Sequence, residues 1–300
     1  MMIAIRDDFK NILQARFGRD FTLPWTQLTG GYESDVWRVG DVVVRISPIW
    51  RSDAELQWVH DVTRHCATTI SEVIAPLTTK DGSTVFRWQN HPITLYPLVT
   101  GDMLDLQDDA QVQQAARLLA KVHRSGLQWQ AMRPRPKSAA APTIPDNQQD
   151  SPDIIDLDLD KQCDTFFGMQ PLTGIVHGDY YRANILCVDG QIRGIIDWDE
   201  AEIRPLLTEV AWACWEFTHN TAGDNLDIAR AHQFLQTYHA DHPILTNDAM
   251  SYIIPLMRRH LRYEIRRSIA DENRGEDVDM NYRNAEIQAF QNLRGSTLDI

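Results

Sequence analysis

The chain has 300 residues, with 29 lysines and arginines against 42 aspartates and glutamates, and a formal net charge of −13 at pH 7. That charge argues against a nucleic-acid partner, which needs a basic footprint, and is compatible with a cationic substrate. No apolar run approaches the length that crosses a bilayer, and the first residues lack a signal-peptide layout. Four scattered cysteines are typical of reduced thiols, so we expect a cytoplasmic protein without membrane attachment.

The first hundred residues predict a helix followed by antiparallel strands. Residues 3–17 repeat apolar groups with a helical period. Residues 28–39 indicate a strand, a glycine turn and a second strand, and residues 42–46 form a β-branched run typical of a buried strand. Residues 70–79 and 84–88 indicate further strands around an Asp-Gly turn.

A glycine pair, Gly30-Gly31, lies in the first of these turns, with Ser34 shortly after it. Because glycine allows close approach and unusual φ angles, such a turn can lay backbone N–H groups over a triphosphate. Taken alone, the pair is more typical of a plain hairpin. The nucleotide interpretation depends on the motif found further along the chain.

From residue 108 onward the apolar period becomes helical. Apolar stripes predict helices over residues 108–126, 205–217, 224–238, 247–269 and 281–293. Residues 133–152 are rich in proline, alanine and polar groups, which indicates an irregular surface loop.

Two charged segments lie in this second part. The aspartates of residues 150–164 form either an acidic wall near a cationic substrate or, as we favour, a solvated face with helix-capping residues. Residues 257–267 predict a helix that is basic on several faces. Its interspersed apolar positions favour a helix packed on the core over a nucleic-acid contact.

The most informative segment is residues 175–199, which contain His-Gly-Asp ending at Asp179 and, five positions later, Asn184. Apolar runs on both sides of Asp189-Gly190 make this dipeptide a strong hairpin signal. Such a hairpin would return the chain on itself and bring Asp197 beside Asn184, although thirteen positions separate them.

These polar groups are the ones that a phosphoryl-transfer site needs. Asp179 can accept a proton from a substrate hydroxyl, while Asn184 and Asp197 offer oxygen atoms of the kind that Mg2+ prefers. The spacing follows the kinase pattern of a catalytic-loop Asp, then Asn, then a metal-binding Asp. An ordinary hairpin with polar turn residues is the alternative, and the agreement of several independent positions argues against it.

The segment resembles the aminoglycoside phosphotransferase and choline kinase-like family, small-molecule kinases that share the two-lobed protein-kinase fold. The matching motif residues are His177, Gly178, Asp179, Asn184, Asp197 and Asp199. The resemblance implies an α+β fold. Residues 1–98 would form an antiparallel-sheet N-lobe that binds nucleotide, and residues 99–300 a mainly helical C-lobe that carries the catalytic and substrate-binding residues.

The same resemblance implies which residues bind the nucleotide. It assigns this role to Gly30, Gly31, Ser34, Arg45, Glu55, Tyr96 and Leu98. Arg45 would contact the α- and β-phosphates in place of a lysine, and Glu55 would hold it there. Main-chain groups around Tyr96 and Leu98 would meet the adenine. The alternative is a solvent-facing Arg45 at a strand edge and a Glu55 on a helix surface, and we favour the functional pair.

Four further residues are expected to support the motif. His177 and Glu209 would brace the catalytic loop, where the family usually carries Asp in place of Glu209. His123 is interpreted as a structural hydrogen-bonding residue. Asp199 would act on the metal through water or hold a loop group, in preference to binding the metal directly.

The predicted function is an ATP- and Mg2+-dependent kinase that transfers the γ-phosphoryl group to the hydroxyl of a small molecule, as aminoglycoside phosphotransferases do. A metabolite kinase for homoserine, choline or a thioribose-like sugar is an alternative within the class. A non-catalytic nucleotide-binding regulator is the alternative outside it, and the presence of Asp179, Asn184 and Asp197 together argues against that. A protein kinase is disfavoured because no Asp-Phe-Gly or Ala-Pro-Glu segment follows Asp197.

Overall fold

A computed structural model describes residues 5–28, 34–129, 133–138 and 151–298. The N-terminal elements are α1 (Asp7–Phe17), β1 (Trp25–Leu28), β2 (Asp35–Val39), β3 (Val42–Ile46), α2 (Asp53–Ala67), β4 (Phe86–Trp88) and β5 (His91–Pro97). The following elements are β6 (Asp102–Met103), α3 (Asp109–Leu127), α4 (Leu157–Gly168), β7 (Thr173–Val176), β8 (Ile185–Val188), β9 (Gln191–Ile195), β10 (Glu202–Pro205), α5 (Leu206–Thr218), α6 (Ile228–Asp241), α7 (Asn247–Met250), α8 (Ile253–Asn273) and α9 (Met280–Asn292).

The N-terminal strands form an antiparallel sheet in the order β1-β2-β3-β5-β4. The alternating pattern of β3 buries Val42, Val44 and Ile46 in a small core together with Phe9 of α1. Because side chains alternate along a strand, Arg45 points to the opposite face of the sheet. That face carries the first candidate nucleotide contact.

A second and larger core lies under the helices of the C-terminal part. It includes residues of α3, α5, α6, α8 and α9 and also Trp58 and Val62 of α2. A parallel bridge between Val73 and Ile195 joins the segment after α2 to β9. The helix α2 is therefore packed on the larger core, next to the elements that carry the catalytic motif.

The α+β class and the combination of an antiparallel sheet with a mainly helical second part are confirmed. The predicted helix over 247–269 is instead two helices, α7 and α8. The predicted strand over 70–79 is wrong. Pro76 has no N–H to donate, and single hydrogen bonds from Ile74 and Leu77 replace a ladder. The lobe boundary at residues 98 and 99 stays a prediction.

The two charged segments bind each other. Asp156 caps α4 through the N–H groups of Asp158 and Leu159, which confirms the capping interpretation, and its Oδ2 lies 2.7 Å from Nη2 of Arg258 on α8. Asp160 pairs with Arg262 one turn further along α8 at 2.5 Å. The basic face of α8 is thus packed against the acidic stretch. In the described part of the chain, no helix is long and apolar enough to cross a membrane.

Candidate active site

The predicted hairpin brings the two candidate metal ligands together. Asp189 and Gly190 have φ angles of 49° and 72°, and a type I′ turn needs positive φ at both central positions. The strands β8 and β9 pair antiparallel on either side of this turn. Beyond the strands, the N–H of Ile196 donates to the carbonyl of Asn184 at 3.0 Å, which places Asp197 beside Asn184. The hairpin prediction is confirmed.

Asn184 fixes the carboxylate of Asp179. Its Nδ2 donates to Oδ2 and to the carbonyl oxygen of Asp179, both at 2.9 Å. With the amide NH2 group used in this way, Oδ1 of Asn184 keeps its lone pairs for another ligand. Burial raises the pKa of the Asp179 carboxyl above its ordinary value, and the charges of Asp197 and Glu200 act in the same direction, against His177 and the Asn184 hydrogen bond.

Asp197 has a backbone conformation that is uncommon outside glycine. Its φ angle is 59°, and non-glycine residues in such conformations cluster at functional sites. The conformation leaves the carboxylate 45% exposed, with Oδ1 3.3 Å from Nη1 of Arg45. The side chain is therefore open to a ligand and already faces a group from the N-terminal sheet.

A buried carboxylate holds the backbone of the candidate catalytic loop. Glu209 of α5 accepts hydrogen bonds from the N–H groups of His177 at 3.0 Å and Gly178 at 2.5 Å, and from Nε2 of His123 at 2.8 Å. Burial acts to raise the pKa of Glu209, but the hydrogen bond and charge of His123 lead the effects that lower it below its ordinary value. The bracing roles expected for Glu209 and the structural role expected for His123 are confirmed.

His177 connects the loop to the hairpin. Its Nδ1 accepts the N–H of Asp179 at 3.3 Å, so Nε2 carries the proton and donates to the carbonyl of Ile196 at 3.0 Å. Gly178 has a φ of 86°, and a Cβ there would lie 2.0 Å from the carbonyl oxygen of Glu200. No other residue type fits at Gly178 without moving the loop, because that neighbour is backbone.

Arg45 reaches the metal motif itself. Its Nη2 donates to Oδ2 of Asp199 at 2.6 Å, and Nη2 of Arg51 donates to the same oxygen at 2.7 Å. Burial alone would raise the pKa of Asp199, but the charges of Arg45, Arg51 and Arg135 bring it below its ordinary value. Asp199 is thus a carboxylate held by guanidinium groups, which agrees with the expectation that it is not a direct metal ligand.

Arg45 and Glu55, both among the described residues, do not form the predicted ion pair. Glu55 is instead bound by Arg51 at 3.4 Å and, through short contacts, by Arg135 and Ser138. Arg51 lies four positions before Glu55, just ahead of the N-cap Ser52 of α2, and this short separation is the available sequence signal. Nothing local in the sequence points to Arg135, which lies 80 positions away.

The other residues predicted to contact the nucleotide lie at several places in the N-terminal part of the chain. The N–H of Leu98, expected near the adenine, donates to the carbonyl of Asp41 at 2.8 Å, so this donor is already used. Tyr96 pairs with Val43 inside the sheet, and its hydroxyl lies 3.4 Å from Nε2 of His60. Ser34 is buried just before β2. Gly30 and Gly31 lie outside the described residues.

Comparison with known proteins identifies the family. Residues 24–244 match the model of the phosphotransferase enzyme family, APH. The chain belongs to this family. A homoserine kinase of Neisseria meningitidis serogroup B is 26% identical to this family member over 196 residues, which are 63% of the chain and 64% of that enzyme. The chain thus spans less than two thirds of the length of this relative.

Solved structures of kinases share the fold of this APH family member at low sequence identity. An amicoumacin kinase in complex with AMP-PNP, Ca2+ and Ami has a TM-score of 0.69 at 12% identity, covering 97% of this chain and 93% of that one. A choline/ethanolamine kinase family protein from Mesorhizobium loti has a TM-score of 0.62 at 13% identity, covering 97% and 95%. The expected kinase-like fold and family are therefore confirmed.

Proposed function

We propose that this protein is an ATP- and Mg2+-dependent kinase that phosphorylates a hydroxyl group of a small molecule. The observation that carries the proposal is the convergence of Asp179, Asn184 and Asp197. The hairpin contact between Ile196 and Asn184 joins the two candidate metal ligands, and the Asn184 amide holds the candidate base. A non-catalytic nucleotide binder has no need for a base fixed in this way.

Asp179 is the proposed general base. Its carboxylate is positioned by one hydrogen bond and half-buried, and the raised pKa makes it a better proton acceptor than a free aspartate. A substrate hydroxyl next to it would be oriented toward the γ-phosphate and lose its proton to the carboxylate. Positioning of this kind supplies a large part of the acceleration in phosphoryl transfer.

The residues present fit a magnesium ion. Asn184 Oδ1 and the exposed Asp197 carboxylate are hard oxygen donors, and Mg2+ keeps waters and phosphate oxygens for its other positions. The bound ion would offset the charge of the phosphates. Arg45, which lies at Asp197, has a guanidinium that can bind phosphate oxygens in a bidentate manner.

The remaining nucleotide contacts stay proposals. Gly30, Gly31 and Ser34 would cover the phosphates, and main-chain groups near Tyr96 and Leu98 would face the adenine. Glu55 would act indirectly, because its contacts to Arg51 and Arg135 support the guanidinium cluster around Asp199. The complexes of the neighbouring kinase with AMP-PNP and of others with ADP support the use of a nucleotide.

Homoserine is the first acceptor to test, since curated homoserine kinases are among the relatives. Aminoglycosides are the second, because phosphotransferases for them share the fold. ADP formation from MgATP should be measured with each acceptor and with EDTA as the metal control.

Asp179→Asn should lower kcat by at least about 100-fold with nucleotide affinity retained, because the amide keeps the shape but accepts no proton. Turnover of this variant at the wild-type rate would refute the assignment of the base. Tight ATP binding without turnover on any acceptor would favour the regulatory alternative.

A further inference from the structure

A short segment between α3 and α4, residues 133–138, lies against the first turns of α2, and we name it the strap. Its backbone is irregular, as its composition predicts, yet Ser138 at its end is only 6% exposed. The carbonyl of Arg133 accepts a hydrogen bond from Nε1 of Trp58 at 2.9 Å. Oγ of Ser138 accepts the N–H of Ser52, also at 2.9 Å. The strap therefore runs antiparallel to the N-terminal part of α2.

The strap binds both carboxylate oxygens of Glu55. Nη2 of Arg135 donates to Oε1, and Oγ of Ser138 donates to Oε2, both through short contacts. Glu55 is 5% exposed, and a carboxylate so far removed from water needs partners of this kind. With both oxygens held, the carboxylate has a fixed orientation, in which Oε1 also faces Nη1 of Arg51 at 3.4 Å. The strap thus determines where Glu55 meets Arg51.

Arg135 also contacts the segment that carries the metal motif. Its Nη1 donates to the carbonyl of Ala201 at 3.1 Å, while its Nη2 is bound to Glu55. Ala201 lies two positions after Asp199, and its own N–H donates to the carbonyl of Trp198 at 2.9 Å. Because a guanidinium is planar and rigid, it fixes the relative position of the two groups that it bridges. Arg135 therefore connects α2 to the turn that follows Asp199.

A continuous series of ion pairs leads from Glu55 to Arg45. Nη2 of Arg51 donates to Oδ2 of Asp199 at 2.7 Å, and Nη2 of Arg45 donates to the same oxygen at 2.6 Å. Arg51 is 3% exposed, and so buried a guanidinium keeps the place that its carboxylate partners give it. In the described part of the chain, Nε of Arg45 is buried without a hydrogen-bond partner, so the carboxylates of Asp197 and Asp199 fix its guanidinium. A displaced Glu55 would therefore move Arg51 and, through Asp199, Arg45.

We propose that the strap fixes the position of Arg45 at the site for the nucleotide phosphates. Arg135 and Ser138 are its positioning residues, and they act through the ion pairs that lead to Arg45. The step from Arg45 to the phosphates rests on the kinase function proposed above, whereas the connection between α2 and the metal motif does not. A segment that only covered α2 would need neither the bridge to Ala201 nor contacts to both oxygens of the carboxylate.

Calorimetric binding of MgATP tests the last step, because it needs no acceptor. Arg135→Gln removes the bridge, Ser138→Ala removes the bond to the second oxygen, and each should raise Kd for MgATP about fivefold or more. Lys137→Gln removes a positive charge from the exposed position between them, so it is the matched control and should keep the wild-type Kd. Ser138→Ala is the milder change and decides the test if Arg135→Gln lowers thermal stability. Equal Kd values for the wild type and both variants would overturn the proposal.

A double-mutant cycle distinguishes positioning of Arg45 from general support of the fold. Arg45→Gln should raise Kd for MgATP by itself, since it removes the guanidinium. Because the strap acts on the phosphates through that group, adding Arg135→Gln to Arg45→Gln should raise Kd by less than about twofold more. If Arg135→Gln raised Kd by the same factor in both backgrounds, Arg135 would act independently of Arg45, which would contradict the assignment.

Hydrogen exchange tests the connection without a nucleotide. Arg135→Gln should speed amide exchange about tenfold in two segments, the first turns of α2 and residues 198–202, and Lys137→Gln in neither. Faster exchange in both segments supports the strap even if the wild type binds no nucleotide, and in that case only the kinase proposal fails. Phosphorylation of an acceptor, together with unchanged exchange and unchanged MgATP binding in Arg135→Gln and Ser138→Ala, would instead refute the strap and leave the kinase function standing.

Discussion

Two buried glutamates, Glu209 of α5 and Glu286 of α9, have opposite surroundings. Glu209 accepts three hydrogen bonds from the loop and from His123, and its pKa lies below the ordinary value. Glu286 is as deeply buried, yet one of its oxygens has no partner among the described residues, and its pKa is raised to about 8. Hydrogen bonds within the protein offset the burial of the first carboxylate, whereas protonation offsets the burial of the second.

This contrast separates a buried carboxylate with hydrogen-bond partners from one that lacks them. Burial removes water from both groups, and only partners can offset that cost. Asp199 belongs with Glu209, because guanidinium groups of Arg45 and Arg51 both reach its Oδ2. Removing a carboxylate that has its partners should therefore damage the fold or the site. Neutralising Glu286, which lacks a partner for one oxygen among the described residues, should instead stabilise the protein.

The largest effect is expected for Glu209→Ala. The change leaves the N–H groups of His177 and Gly178 buried without an acceptor, and each such group costs about 1–3 kcal/mol. Denaturant unfolding should show a loss of about 3–5 kcal/mol, counting the cavity as well. Glu209→Asp keeps the acceptor atoms and should lose clearly less. If Glu209→Ala lost no more stability than Glu209→Asp, the hydrogen bonds from Glu209 to the loop would be energetically unimportant.

Asp199→Asn should have the next largest effect, and mainly on nucleotide use. Neutralising the side chain removes the charge that holds Arg45 at the motif, so KM for ATP should rise about tenfold while the fold persists. Asp189→Asn, in the exposed turn, is the control, since asparagine tolerates the left-handed conformation found there. An unchanged KM for ATP would show that Asp199 does not position the guanidinium.

The sequence determines one side of the active site better than the other. The Asp189-Gly190 turn sets the hairpin locally, so the approach of Asn184 and Asp197 follows from a dipeptide and the strand pattern. Asp199 instead meets Arg51 across 148 positions, and Arg45 across 154. No local pattern encodes such a pairing, which explains why the predicted partner of Glu55 is wrong.

The helices also have features that the local sequence predicts and features that it does not. Their existence follows from apolar periodicity, but the break that separates α7 from α8 lies in an otherwise continuous pattern. Pro255, in the first turn of α8, is the available signal, because proline is tolerated at a helix start. The approach of Glu286 to Glu216 and Glu264, whose charges raise its pKa, has no local sequence signal, since the three residues lie on different helices.

A smaller effect is expected for Glu286→Gln, in the pH dependence of stability. With a folded pKa of about 8 against 4.5, the native protein holds a proton that the unfolded chain releases above pH 4.5. This group therefore makes stability fall as pH rises from about 4.5 to 8. The stability of the variant should fall less over this pH range. The difference in melting temperature between the variant and the wild type should therefore be on the order of 2 °C larger at pH 8 than at pH 5. If the difference in melting temperature were the same at pH 5 and pH 8, the ionised Glu286 carboxylate would not be destabilising.

The smallest effect is expected for Glu216→Gln, which acts on stability in two ways. The half-buried side chain is partly screened by solvent, so its own contribution to the fall in stability is smaller than that of Glu286. The substitution also removes a negative charge that raises the pKa of Glu286. The remaining fall in stability with rising pH should then extend over a narrower pH range, which ends at a lower pH. Melting curves of both single variants and the double variant measure this coupling. Strictly additive shifts would show that the two carboxylates do not interact.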